Sequence, residues 1–110
     1  MSNHPILSRL GFARKSGRLS IGFAASKESC LNKKAKLIVI AADVSAKSEK
    51  EIRYFAGDKI PAVKIDSTIL EMSAAIGIKA GIVSVNDSGF ADAILKRQPN
   101  LSTVKEENIC

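Results

Sequence analysis

The chain has 110 residues, 45% hydrophobic and 25% charged, the ordinary values of one globular domain with a packed core. Neither an apolar run of the roughly 18 residues a membrane span needs nor the basic-then-apolar layout of a signal peptide is present, since Arg9, Arg14 and Lys15 break up the N-terminal stretch; a cytoplasmic protein without a membrane role is expected. The net charge is +6, and residues 1–36 hold eight cations (Arg9, Arg14, Lys15, Arg18, Lys27, Lys33, Lys34, Lys36) against Glu28 alone, an excess that suggests a surface facing a polyanion.

Residues 5–16 predict a first helix. Pro5 suits a first turn, and Ile6, Leu7, Leu10 and Ala13 form one face of a 3.6-residue period. Gly17 stands where a glycine stops a helix. Arg18 to Ile21 is long enough only for a small strand. Gly22 then opens a second helix to about Lys33. A glycine N-cap brings no side-chain oxygen, so the first-turn N–H groups of Phe23, Ala24 and Ala25 are left to receive a phosphate or an electron-rich base edge, or simply water. Gly17 and Gly22 do not form a phosphate loop, which needs Lys and then Ser or Thr after the second glycine; here Phe23 and Ala24 follow.

Lys36 to Asp43 is a continuous apolar run fitting a strand covered on both faces. Asp43 or Ser45 caps a third helix to about Ala56, with Ile52 and Phe55 inward and Lys47, Glu49, Lys50 and Glu51 in solvent. Ile60 to Ile65 is a third strand with Pro61 near its start. Ser67 or Thr68 caps a fourth helix carrying Ile69, Leu70, Met72 and Ile76, stopped by Gly77. Residues 80–85 make the last strand. Asp87 and Ser88 cap a final helix with Phe90, Ala91, Ile94 and Leu95 at helical spacing. Residues 1–97 are thus read as a single domain and 98–110 as a flexible C-terminal tail. Alternating helices and strands imply helices on both faces of a small sheet, an α/β fold.

Two cysteines and one histidine provide no disulfide framework and no zinc spacing. Cys30 reads as a buried thiol and Cys110 as a frayed end, and no metal or cofactor is expected. Catalysis needs a nucleophile, base or metal in reach of a partner. His4 lies near the start, Tyr54 is a lone tyrosine, and Asp43 and Asp87 read as caps, so an enzyme is not expected.

The ordered set Arg14-Lys15-Ser16-Gly17, Gly22, Ala35 to Ala41, Asp43-Val44-Ser45, Ile60-Pro61, Ile76-Gly77 and Asp87 to Ala91 resembles the ribosomal L-seven-Ae family in its bacterial, YlxQ-type members. The resemblance covers about residues 5–96. It implies a three-layer α/β/α sandwich on a mostly four-stranded sheet that binds kink-turn or similarly bent RNA, in ribosomal RNA or elsewhere, as a ribosome-associated monomer. By that resemblance the contacts are the start of the second helix and the loop before the last strand. With the basic cluster, the expected RNA-binding residues are Arg14, Lys15, Arg18, Gly22, Phe23, Ala24, Ala25, Lys27, Ile78, Lys79 and Ala80. The strongest kink-turn binders of the family carry Asn and Glu where this chain has Ala24 and Ala25, and Lys where it has Glu28. Lys27 lies about 100° round the helix from that lysine. Phe23 replaces a small residue and stacks on a base or packs. Met72-Ser73 stands where the family often has Leu-Gly. The competing expectation is a protein-interaction or ribosome-assembly scaffold without specific kink-turn recognition.

Overall fold

In β2 (Leu37–Ile40) every side chain is buried, and successive side chains point to opposite faces. Leu37 and Val39 enter one core and Ile38 and Ile40 a second, so the strand is covered on both sides. The computed structural model describes residues 5–97; His4, Cys110 and the expected tail lie outside the described residues. The remaining elements are α1 (Pro5–Lys15), β1 (Leu19–Ile21), α2 (Phe23–Leu31), α3 (Ala46–Ala56), β3 (Ala62–Lys64), α4 (Ile69–Ile76), β4 (Ile82–Val85) and α5 (Ser88–Arg97).

The sheet runs β1-β4-β2-β3. β4 is antiparallel to both β1 and β2, and β2 is parallel to β3. Helices α1, α4 and α5 bury Ile6, Leu10, Met72, Ile76 and Ile94 on one face with Val83 and Val85. On the other face α2 and α3 contribute Cys30, Ile52 and Ala56 around Ile38, Ile40 and Ile82. The molecule is therefore the expected three-layer α/β/α sandwich. Alternation of elements predicted the layers; the mixed strand directions follow from the pairing of β4 between β1 and β2. Among the described residues no helix is long and apolar enough to cross a membrane, and no cluster of His, Cys, Asp or Glu is suited to a metal ion.

Several boundaries differ from the sequence reading for local reasons. The strand expected over residues 36–43 ends at Ile40, because the chain then swings across to other partners: Ala41 N–H donates to the Gly81 carbonyl and Ala42 N–H to that of Ser67. Ser45 caps α3, accepting from Ser48 N–H at 3.2 Å. Asp43 serves α4 instead, accepting from Ile69 N–H at 2.7 Å. Thr68 and Glu71 form a reciprocal capping box on α4. That cap sets the helix phase so that Met72 and Ile76 point inward, and Leu70 is turned out, 80% exposed.

Beneath α2 the sheet is polar. Asn86 Nδ2 donates to Ser20 Oγ (2.9 Å), Ser20 and Ser29 share a hydroxyl bond (2.6 Å), and Ser84 Oγ donates to Asn86 Oδ1 (2.7 Å). Ser26, also fully buried under α2, has a hydroxyl with no partner among the described residues. Cys30 beside them is buried, and that burial pushes its thiol pKa up, as an inert core cysteine requires.

The edge strand β3 is clamped to α3 through Glu49, which meets Arg53 Nε at 3.0 Å and Lys64 Nζ at 3.2 Å, while Arg53 Nη1 donates to the Ala62 carbonyl at 2.9 Å. Burial works against the Glu49 carboxylate, but the bonds from Arg53 and Lys64 outweigh it and hold its pKa below the ordinary glutamate value. A depressed folded-state pKa stabilises above the unfolded value of about 4.3 and loses that contribution as pH falls through the folded value. Glu49→Gln should therefore lower stability by up to about 1 kcal/mol at pH 7. The gap between variant and parent in urea denaturation should close as pH falls through the depressed folded-state pKa.

Candidate nucleic-acid interface

Strand directions bring several helix starts to one end of the sheet. β1, β2 and β3 all finish where β4 begins, so α2, α3 and α4 start there. Three of the four helices from α2 to α5 have side-chain caps: Ser45 on α3, Thr68 with Asp43 on α4, and Asp87 on α5, whose Oδ2 accepts from Phe90 N–H at 2.9 Å. α2 has none. Gly22 is its N-cap and makes no side-chain bond. The first intrahelical bond runs from Ser26 N–H to the Gly22 carbonyl, and the N–H groups of Phe23, Ala24 and Ala25 find no partner among the described residues. Together with the helix dipole they form a site of positive potential.

Gly22 adopts φ 96°, ψ 166°, a backbone region essentially confined to glycine. In that conformation its own N–H donates to the Ile82 carbonyl at 2.8 Å. The start of α2 is thereby fastened to the start of β4, directly after the loop 77–81. That loop is pinned in turn. Ala80 N–H donates to Ser73 Oγ at 3.0 Å, and Ser73 Oγ donates to the Ile69 carbonyl at 2.6 Å. Gly81 is packed so closely that a Cβ there would come within 2.8 Å of Ile69 Cγ1 and Val44 Cγ2.

The expected RNA-binding residues do not form one cluster. Gly22, Phe23, Ala24 and Ala25 open α2 beside the end of the loop that carries Ile78 and Lys79, and Arg14 reaches the beginning of that loop. Its guanidinium lies over Gly77, where an added Cβ would sit 3.1 Å from Nη1. Ile78 is 43% exposed and Lys79 is open to solvent, whereas Ala80 is buried and shapes the loop from inside. Lys15 is exposed beside the groove between α1 and α4 that Arg14 and Gly77 also line.

Two residues are set apart. Arg18 lies at the opposite end of β1, about 13 Å of extended chain from Gly22. It is paired there with Asp87 at 3.3 Å, and its carbonyl accepts from Asn86 N–H. Lys27 turns toward α3, its Nζ 4.8 Å from the centre of the Phe55 ring. Phe23 packs against the core beneath α2 and α3 and is half-buried, so it is chiefly a packing residue.

Leu70 and Asp43 are absent from the expected set. Both border a shallow, mostly apolar hollow of about 760 Å³ next to the loop, with Ile69, Ser73, Ile78 and Lys79. The signal for Leu70 was its position about 200° from Met72 on a helix whose cap fixes the phase. The signal for Asp43 was the serine two residues on, a sufficient cap for α3 by itself.

This arrangement defines a class: small three-layer α/β/α proteins on a mixed four-stranded sheet. Among solved structures, the chain is similar to a protein of unknown function from Bacillus halodurans C, with TM-score 0.80 and 22% identity over 86% of this chain and 97% of that one. It is also similar to the 15.5kD RNA binding protein of Giardia lamblia, with TM-score 0.71 and 16% identity over 94% and 93%. Residues 5–94 match the model of the ribosomal protein L7Ae/L30e/S12e/Gadd45 family, and the chain belongs to that family. Its relatives include the large ribosomal subunit protein eL30 of Candida glabrata, 30% identical over 92 residues that cover 81% of this chain and 88% of that protein. The eL30 of Saccharomyces cerevisiae is 28% identical over 96 residues, covering 84% and 91%. These relatives are proteins of the large ribosomal subunit.

Two glycine substitutions at this end should both destabilise, for different reasons. Nothing lies within 4 Å of a Cβ on Gly22, so Gly22→Ala should cost about 1–3 kcal/mol through backbone strain alone. Gly81→Ala should cost about 1–3 kcal/mol through overpacking against two stiff β-branched side chains. Urea midpoints measure both, and an additional Val44→Ala change should recover stability for Gly81→Ala only.

Proposed function

We propose that this protein is a ribosome-associated RNA-binding protein that recognises kink-turn or similarly bent RNA. The observation that carries the reading is the uncapped first turn of α2, fastened by the Gly22–Ile82 bond beside a loop presenting Ile78 and Lys79. Unpaired N–H groups at a helix start receive phosphates and carbonyl-rich base edges. The exposed Ile78 offers an apolar surface to an unstacked base, and Arg14 and Lys79 neutralise phosphates. Proteins read RNA at such irregular places because the A-form major groove is too narrow for side chains. Membership of a family that includes ribosomal proteins, and the ribosomal role named for the eL30 relatives, support the same reading.

The mode of recognition follows from what stands on the first turn of α2. Ala24 and Ala25 have no polar side-chain atoms, and Glu28 carries a negative charge one turn further on. Base edges are therefore met by backbone N–H groups rather than by an amide and a carboxylate. Each missing bidentate contact corresponds to about 1–3 kcal/mol of discrimination, by analogy with edge readout in DNA. Affinity then rests more on phosphates, and binding depends strongly on salt.

The test is a salt-matched gel shift with a kink-turn RNA and a duplex of equal length. The kink-turn should bind more tightly; equal affinities would remove the kink-turn element, and no binding to structured RNA at low salt would remove the whole reading. Arg14→Gln with Lys15→Gln should weaken binding and flatten the logarithmic salt slope by about one for each phosphate that is no longer neutralised. Arg18→Gln should change the slope less, because Arg18 is already paired with Asp87.

A further inference from the structure

α3 carries a tyrosine that folding leaves unused. Tyr54 is 79% exposed, and its ring meets that of Phe55 edge to face, with centroids 5.4 Å apart at 80°. Phe55 is half-buried and anchored in the core on this side of the sheet, so it holds its neighbour in a defined direction. Lys27 Nζ sits over the Phe55 ring at 4.8 Å. Lys47 and Lys50 flank the same rings, and a hollow of about 580 Å³ runs between α2 and α3 from Phe23 to Tyr54. Among the described residues none of these three lysines is in an ion pair. Glu51 is the one carboxylate lining the hollow, which leaves a surplus of two positive charges.

We propose that this groove is a second RNA-contact surface, in which an unpaired nucleotide flanking the bent RNA stacks on Tyr54 while Lys27, Lys47 and Lys50 take the adjoining phosphates. Aromatic faces set in a cationic groove bind single strands without regard to sequence, because every base has a π-face and every link a phosphate. Protein interfaces, by contrast, are depleted in lysine at their centres, and here lysines ring the aromatic pair. The groove is continuous with the proposed RNA face: Phe23 belongs to the first turn of α2, and Lys27 lies one turn further along the same helix. The hollow itself joins Phe23 at the α2 start to Tyr54. The inference rests on the RNA-binding reading above, but its test separates the two.

Tyr54 is the only tyrosine and the chain has no tryptophan, so tyrosine emission reports this groove alone. The probes are a blunt kink-turn hairpin, the same hairpin with six-uridine extensions, and free dodecauridine. The extended hairpin should bind at least about fivefold more tightly than the blunt one, the low end for one stacked base, and should quench the tyrosine. Tyr54→Ala should abolish that gain and leave blunt-hairpin binding unchanged, and Tyr54→Phe should keep it. The exposure of Tyr54 means both variants fold, which an unchanged thermal midpoint verifies. An extension that adds no affinity, or a gain that survives Tyr54→Ala, overturns the proposal. If the hairpin binds but neither extension nor dodecauridine alters the emission, the proposal fails alone and the surface is left to a protein partner. If the hairpin does not bind while dodecauridine quenches Tyr54, the groove stands and the bent-RNA reading fails.

Discussion

The bond from the Gly22 amide to the Ile82 carbonyl holds together the end of the molecule where the proposed RNA face lies. A helix that starts directly after a three-residue strand has little chain with which to find its direction. Gly22 solves this by entering a backbone region closed to other residues, which turns the chain and gives its amide to β4 in one step. α2 therefore begins at a fixed height against the loop 77–81. The loop is held from the other side by Ser73 and by the contact of Gly81 with Val44 and Ile69. A helix start and a loop from distant parts of the chain thus share one rigid frame, as a site that meets a bent ligand at two points needs.

The sequence was most legible where a signal was local and unopposed. The continuous apolar run around Leu37 to Ile40 announced a doubly covered strand. Gly17, Gly22 and Gly77 marked helix boundaries, and the missing cap on α2 was visible as a glycine where a serine, threonine or aspartate would serve. Less legible was anything set by partners far along the chain. Asp43 stands two residues before Ser45, the cap of α3, but itself caps α4, because β2 and β3 are parallel neighbours and deliver their following segments side by side. Strand directions were hidden for the same reason: an apolar run reads alike in a parallel or an antiparallel ladder.

The candidate site shows the same division. The cations of the first third of the chain read as one patch, and along the sequence they are one. In space their side chains part. Arg14 reaches Gly77, while Arg18, whose N–H donates to the Ala13 carbonyl one residue before Arg14, meets Asp87. Lys27, four residues past Phe23, turns to the face of α3. Charge counting locates a basic segment; the partner that each side chain finds decides whether their charges act on the same ligand.

The serines under α2 have a wider meaning. Most helices in small proteins are seated on aliphatic side chains, whose contacts tolerate a slight roll about the helix axis. Ser29 binds Ser20, which binds Asn86, which binds Ser84, and bonds of this kind are directional. They fix the azimuth of α2 as a key fixes a shaft. Which amides of its first turn look outward is thus set by a seam of hydroxyls on the far side of the helix, and the buried hydroxyl of Ser26 is carried in that seam at the cost of an unmade bond.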